Sequence, residues 1–441
     1  MPDEPLYEPE PADDPLPTAG YRTYEVYQRE RVGQTTNRIK PSELLSESFA
    51  ADPYPRLEIL REHYPCYRDW LGNRFWITRY DDVTSVFTDD ANFESRSKLW
   101  RYGEPDLGRD LGEELPFLWA RTNRLGESFD AVIDEVMTDL ATEAEGAGGV
   151  VDLASALAGR VPLEAWGHAL DLPRPTLGPF ATQYWRLQRG VGWDPQAQLD
   201  GRAALDELEE LIEPLLAARR AHPGDDVISA VAGIEFDEGP ATALDLVVTL
   251  LELDHQTLHG ALANLWFQLL TNHDQLDLVK ADRRLMKFAY LETLRHSPAV
   301  LAADRYTRHE VERFGRLLPE GALLRCSASA ANRDPRQFDE PDSFRVGRTD
   351  LCQREPRGQY RADGLPAGLT FGLGPPTKHP AVPKDRPVSE YALTLNLAVR
   401  VSERLLERFP NIQLADGAEP ELRCLRLGEM HTCWNLPATL G

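Results

Sequence analysis

The sequence predicts a mainly α fold with small β-sheets. Apolar residues recur at helical spacing from about residue 126 to residue 296, and the longest such run covers Ala241–Leu270. Short runs of strand texture stand at both ends of the ordered region, at Asn73–Tyr80 and after Ala299. The composition agrees: 441 residues with 42% hydrophobic and 27% charged side chains describe a globular chain, not a disordered, collagenous or coiled-coil one.

Residues 1–47 read as an arm, acidic and Pro-rich to about residue 20 and charged thereafter, with too little apolar surface there to bury. Residues 48–441 read as one domain. Leu57–His63 has helical spacing, Asn73–Tyr80 alternates as a strand, and Asp81–Phe87 opens on acids, as a helix N-terminus does. A helix over Gly126–Gly146 ends at Gly-Ala-Gly-Gly. Val151–Asp171, Ala203–Arg220, Asp274–Val279 and Arg283–His296 follow as helices, the last stopped by Pro298. Strands and turns are expected at Glu310–Glu312, Arg316–Gly321 and Leu323–Ala328. A Pro/Gly-rich loop spans Thr349–Pro387, a helix spans Val388–Phe409, and the end is β-like.

The 72 acids against 48 bases leave a net charge of −24, which argues against nucleic acid and anionic membrane as partners. The apolar run Ala243–Leu253 contains Asp245 and Glu252 and is far shorter than the roughly 20 residues of a membrane helix. The N-terminus has neither a basic nor an apolar leader region. Five Cys without C-x-x-C spacing fit reduced thiols better than a disulfide or zinc framework, so the chain is expected in the cytoplasm.

Four motifs then occur in a fixed order: Asp52-Pro-Tyr-Pro55, Glu292-Thr-Leu-Arg295 on a helix, Ala331-Asn-Arg-Asp-Pro335 with Phe338–Phe344 behind it, and Phe371-Gly-Leu-Gly374 before the late helix. Together they resemble the bacterial soluble cytochrome P450 superfamily, the thiolate-haem monooxygenases, over residues 50–437. The resemblance implies the cytochrome P450 fold, with haem between a long central helix and the late helix. It also implies that Glu292 and Arg295 lock the fold through a downstream Arg, here Arg345 or Arg333.

The same resemblance makes the departures visible. In the family a Cys after the F-G-x-G turn supplies the thiolate that ligates haem iron. Here that position holds Lys378, the upstream basic position holds Pro376, and the loop carries Pro375, Pro376, Pro380, Pro383 and Pro387. His379 is the candidate replacement ligand, with Lys378 a weaker one because an amine must first lose its proton. On the central helix the oxygen-activating motif reads Leu253-Asp254-His255-Gln256-Thr257: the Thr is retained, the acid is an amide, and small residues are replaced. Trp119 and Asn123 stand where the family has a His and an Arg for the haem propionates, while Arg305 occupies a propionate-binding position. Glu252, His255 and His259 share a helix face, without a second motif to complete a metal site.

Haem binding is therefore doubtful, and the leading expectation is a non-oxygenase: an auxiliary partner of a biosynthetic enzyme, or a ligand-binding pseudoenzyme for a small apolar or natural-product ligand. The basic residues Lys378, Lys384 and Arg386 offer a docking loop for a protein partner. The alternatives are a haem oxidoreductase ligated by His379, a haem-free acid–base enzyme using Asp254 and Thr257, and a monooxygenase whose ligand is displaced.

Overall fold

The computed structural model describes residues 38–96, 109, 111, 124–191, 195–224, 226–252, 255–351, 390–425 and 430–441. The buried set begins early: Ile39 and Leu44 pack with Phe49, Leu57, Leu60 and Trp76. Helix α1 (Glu47–Ala51) is capped by Ser46, whose hydroxyl accepts the Phe49 N–H at 3.2 Å. Helix α2 (Tyr54–His63) follows. The hairpin β1 (Cys66–Asp69) and β2 (Arg74–Ile77) turns at Asn73, which takes a positive φ of 47°. Asp69 organises that turn, accepting from the Gly72 N–H and from Arg74 Nε, both at 2.9 Å.

Helix α3 (Tyr80–Phe87) carries Asp81 and Asp82 in its first turn, but neither caps it. Instead the Tyr80 N–H donates to Asp334, 254 residues away, at 3.1 Å. Strand β3 (Phe93–Glu94) follows, and helix α4 (Arg124–Gly146) ends where the glycines predict, with Gly148 and Gly149 at positive φ.

The expected helix Val151–Asp171 is three elements: β4 (Val150–Asp152), a π-turn at Ala154–Gly159 and α5 (Arg160–Ala169). The physical reason is Asp152, whose Oδ1 accepts both the Ala154 and Leu436 N–H groups, so that β4 pairs up to Asp152 and helical geometry starts only after it. Helix α6 (Arg174–Gly190), which the periodicity does not announce, contains Pro179. Next come α7 (Pro195–Ala221), α8 (Val227–Ala232) and the small hairpin β5 (Glu235–Phe236) and β6 (Gly239–Pro240). The Ala241–Leu270 run is described as α9 (Ala243–Glu252) and α10 (His255–Thr271). Helices α11 (His273–Ala281) and α12 (Met286–His296) complete the central part, a 3-10 turn taking Arg283–Leu285.

Strand β7 (Ala303–Thr307) comes first, where the sequence pattern announces no strand, and β8 (Val311–Arg313), β9 (Arg316–Leu318) and β10 (Leu323–Cys326) fall close to the expected places. A short helix α13 (Ala328–Ala331) leads into the Asn332–Pro335 turn, and α14 (Glu390–Arg408) is the late helix. Strands β11 (Gln413–Leu414), β12 (Glu421–Leu425), β13 (Met430–Asn435) and β14 (Pro437–Thr439) close the chain. The main sheet runs β1-β2-β10-β7-β3, with β2 and β10 parallel and the other pairs antiparallel. It therefore joins the beginning of the described chain to its second half.

Helix α10 runs through the main core and packs on α12, α14 and β13. Leu262, Leu265, Trp266 and Leu269 are all buried, and Trp266 Nε1 donates to Ser402 of α14 at 3.2 Å. Two residues fix its distance from β13. A Cβ on Gly260 would stand 2.4 Å from Ala299 Cβ and 2.7 Å from Thr432 Oγ1, so only glycine admits this approach. Asn264, fully buried, donates to the Ser297 and His431 carbonyls and accepts the Cys433 N–H, each at 2.9 Å.

The Glu292–Arg295 pair is fully buried and bidentate, at 2.7 and 2.8 Å. Arg295 also donates to the carbonyls of Asn332, Pro341 and Ser343. The third member is neither expected residue by its side chain. Arg345 contributes its backbone N–H to Glu292 at 2.9 Å while its guanidinium turns to Glu340. Arg333 binds the His296 carbonyl and Asp342. The cation facing Glu292 is Arg348, at 3.8 Å, itself held by Asp350. Sequence spacing could not choose among the four arginines of one loop, Arg333, Arg336, Arg345 and Arg348.

Replacing Glu292 by Ala leaves two buried guanidinium groups facing one another without a carboxylate. The expected loss is about 3–5 kcal/mol, read as a fall in the urea midpoint, with Glu292→Gln losing less. Unchanged midpoints would show that the pair does not hold the fold.

Candidate functional site

Among the described residues, the groups nearest to the expected chemistry lie on α10, on β7 and on the elements facing them. Thr257 falls in the first turns of α10. Asp254, Lys378, His379, Lys384, Arg386, Trp119, Asn123 and Cys352 lie outside the described residues. Glu292 and Arg295 meet as the lock above; their burial within protein contacts gives them a structural part.

His259, two residues beyond Thr257, is 4% exposed. Its ring stands edge-on to Trp185 of α6 and to Trp434 of β13, each centroid 5.3 Å away. Burial lowers its pKa to about 4, with the Ala154 carbonyl of the π-turn opposing that shift. The imidazole is therefore neutral at physiological pH, and its Nδ1 has no hydrogen-bond partner. Among the described residues no cluster of three or more His, Cys, Asp or Glu that could hold a metal occurs. The sequence showed His259 on a helix face but not the two Trp rings that enclose it, since these come from α6 and β13.

Arg305 lies on β7 opposite Leu324 of β10, which itself stands opposite Phe75 of β2. This is the sheet face that packs on α3 with Phe87, Cys326 and Ile77. The guanidinium rests 4.7 Å from the Phe87 ring centre and donates to the Asp304 carbonyl at 2.9 Å. Burial depresses its pKa, and the neighbouring Cys326 and Asp304 oppose that. A cation in such an apolar setting can hold a ligand carboxylate, which the resemblance assigns to this position.

Four of the five cysteines are described, and all four are buried. Cys66 and Cys326 stand on either side of Ile77, two strands apart in the main sheet. Cys424 and Cys433 lie in the β12/β13 hairpin, where their Sγ atoms approach the Phe49 and Asn435 carbonyls. Burial pushes the Cys326 thiol up, and the Cys424 thiol up to about 12. A thiol so shifted stays protonated and makes neither a nucleophile nor a metal ligand. No helix among the described residues is long and apolar enough to cross a membrane.

Comparison with known proteins converges on one family. The model of the cytochrome P450 family matches residues 280–374, a span that contains the lock, the Ala331–Pro335 turn and the Phe371–Gly374 turn. The chain is similar to cytochrome P450 107B1 of Saccharopolyspora erythraea, with 27% identity over 86% of this chain and 93% of that one. It is 30% identical to cyclomarin C epoxidase CymV of Salinispora arenicola, over 66% of this chain and 78% of the relative. Among solved structures, the cytochrome P450 PksS of the Bacillus subtilis bacillaene polyketide synthase superposes with a TM-score of 0.71 at 20% identity. The match covers 90% of this chain and 99% of that one.

The environment of His259 gives a pH signature. Its folded pKa is about 4 and its unfolded value 6.5, so the unfolded chain binds the extra proton between them. That contribution to stability is complete above pH 6.5 and is lost as pH falls towards 4, by up to about 3 kcal/mol. Unfolding free energies of the protein and of His259→Leu, measured across this window, should show the shallower slope in the variant. Parallel slopes would contradict the assignment.

Proposed function

The chain belongs to the cytochrome P450 family, and on that premise we propose that it is a member that no longer activates oxygen at a thiolate-ligated haem. It serves instead as an auxiliary, ligand-holding protein for a biosynthetic enzyme, and its ligand is a small apolar natural product. The observation that carries this reading is the residue set after the F-G-x-G turn: from Gly374 to Cys424 the sequence contains no cysteine. The family match ends at that same Gly374, where the proline-rich sequence begins.

Members of the family bind haem through a thiolate, which supplies electron density for O–O cleavage. Among the described residues no cysteine fits that group. Cys326 and Cys424 are held as protonated thiols, Cys66 and Cys433 are packed inside the sheet and the hairpin, and Cys352 precedes the F-G-x-G turn. The amide of Gln256, in place of the family's acid, does not relay protons as a carboxylate does. No step is therefore assigned to haem.

The ligand class rests on the relatives' names, which include a cyclomarin C epoxidase and a P450 of a polyketide synthase. Arg305, a cation on an apolar face, would orient a ligand carboxylate or carbonyl. The basic loop around Lys378, Lys384 and Arg386, on a chain of net charge −24, is the candidate contact for an acidic partner surface.

The test is an absorption spectrum of the full chain, produced with added haem precursor, before and after reduction and carbon monoxide. The expected result is no Soret band. A reduced carbon-monoxide band of the thiolate type would restore the monooxygenase reading. A nitrogen-type band abolished by His379→Ala would replace the proposal by an imidazole-ligated haem protein.

A further inference from the structure

The sequence contains three Asp-Gly pairs, Asp200-Gly201, Asp363-Gly364 and Asp416-Gly417. In such a pair a bond between the glycine nitrogen and the aspartate Cγ closes a five-membered ring. Glycine has no Cβ to obstruct the approach. The fold then decides the outcome, because the peptide between the two residues must turn for the nitrogen to meet Cγ. Asp363 lies outside the described residues. The other two pairs stand in opposite surroundings.

Asp200-Gly201 belongs to the long helix α7, and Gly201 is buried in it. A residue inside a helix commits its N–H to the carbonyl four positions back. The Asp200 carboxylate is also held, accepting from Gln196 Nε2 at 3.0 Å. The Gly201 nitrogen reaches Cγ only if the helix opens.

Asp416-Gly417 is the tip of the connection from β11 to β12. The Ala418 N–H donates to the Ala415 carbonyl at 3.0 Å, which closes a turn with Asp416 and Gly417 at its central positions. Gly417 has a φ of 70° while Asp416 keeps a negative φ, the combination of a type II turn. Types II and I differ by a flip of the central peptide, here the one joining Asp416 to Gly417. Glycine takes φ of either sign, so residue 417 does not resist the flip. The surroundings do not resist it either. Both residues are exposed, and neither the Gly417 N–H nor the Asp416 carboxylate has a hydrogen bond or ion pair among the described residues. A Cβ on Gly417 would meet no atom within 4 Å. The start of the turn is anchored, since the Ala415 N–H donates to the Pro437 carbonyl at 3.0 Å. The central peptide thus turns on a fixed base.

We propose that Asp416 is a site of spontaneous conversion to isoaspartate. The Gly417 nitrogen attacks Cγ of the protonated Asp416 carboxyl group. The N–Cγ bond forms, the Cγ–OH bond breaks, and the hydroxyl leaves with the amide proton as water. Water then adds to the main-chain carbonyl of Asp416 in the cyclic imide and breaks its bond to the Gly417 nitrogen. The chain afterwards runs through Cβ and Cγ, and the freed carboxyl group stands on Cα. One water leaves and one enters, so the step needs no oxidant or reductant. The product is the substrate class of isoaspartyl carboxyl methyltransferases.

The test ages the full-length protein for several weeks at physiological temperature and neutral pH, then maps its tryptic peptides. Each Asp-Gly pair falls in its own peptide: residues 190–202, 362–378 and 409–423. The peptide of residues 409–423 should split into two peaks of equal mass, and the new peak alone should accept a methyl group from an isoaspartyl methyltransferase. The peptide of residues 190–202 should stay a single unmethylated peak. Asp416→Glu, which would have to close a six-membered ring, should lose the second peak. A single unmethylated peak for residues 409–423 would overturn the proposal. So would equal splitting of residues 190–202, because the pair alone and not the fold would then decide, or a second peak that survives Asp416→Glu.

Discussion

Much of this structure depends on one buried ion pair. Glu292 and Arg295 are both fully removed from water, and such a pair is tolerated only when every remaining lone pair and proton finds a partner. Here three backbone carbonyls, the Arg345 N–H and the Arg348 guanidinium supply them. Those partners span residues 332–348, so satisfying the pair folds that whole loop against α12. The end of α12 is then fixed, and with it Ser297 for Asn264, His296 for Arg333, and the entry into β7 that carries Arg305.

The second constraint is the approach of α10 to β13. Gly260 permits it and Asn264 bonds across it. Because β13 also carries Trp434, this contact helps to enclose His259 between two Trp rings. Buried polar groups at these points therefore act in geometry first: they set distances between elements whose apolar surfaces alone would allow sliding.

Local pattern carried the α content, the late helix and the strand clusters after Ala299, because apolar period and glycine or proline stops act within a few residues. It failed where a distant group decides. Asp334 and not Asp81 satisfies the start of α3, and Asp152 breaks a helical pattern by bonding to Leu436. Helix α6 escaped notice because Gly178 and Pro179 interrupt its pattern, while packing on α7 keeps it helical. The E-x-x-R pair was legible as a motif, yet its cation Arg348 was not, since four arginines within sixteen positions share the same chemistry. The residues that decide oxygen chemistry, from Lys378 to Arg386 and at Asp254, lie outside the described residues and were read from sequence alone.

The central claim is that the buried pair and its core hold this P450 fold without a thiolate-bound haem. Thermal unfolding of the chain made in a host blocked in haem synthesis, beside the chain made with abundant haem precursor, tests it most directly. The account predicts coincident melting curves and the same helical circular dichroism. A lower melting temperature in the haem-starved sample, restored by adding haem, would contradict it.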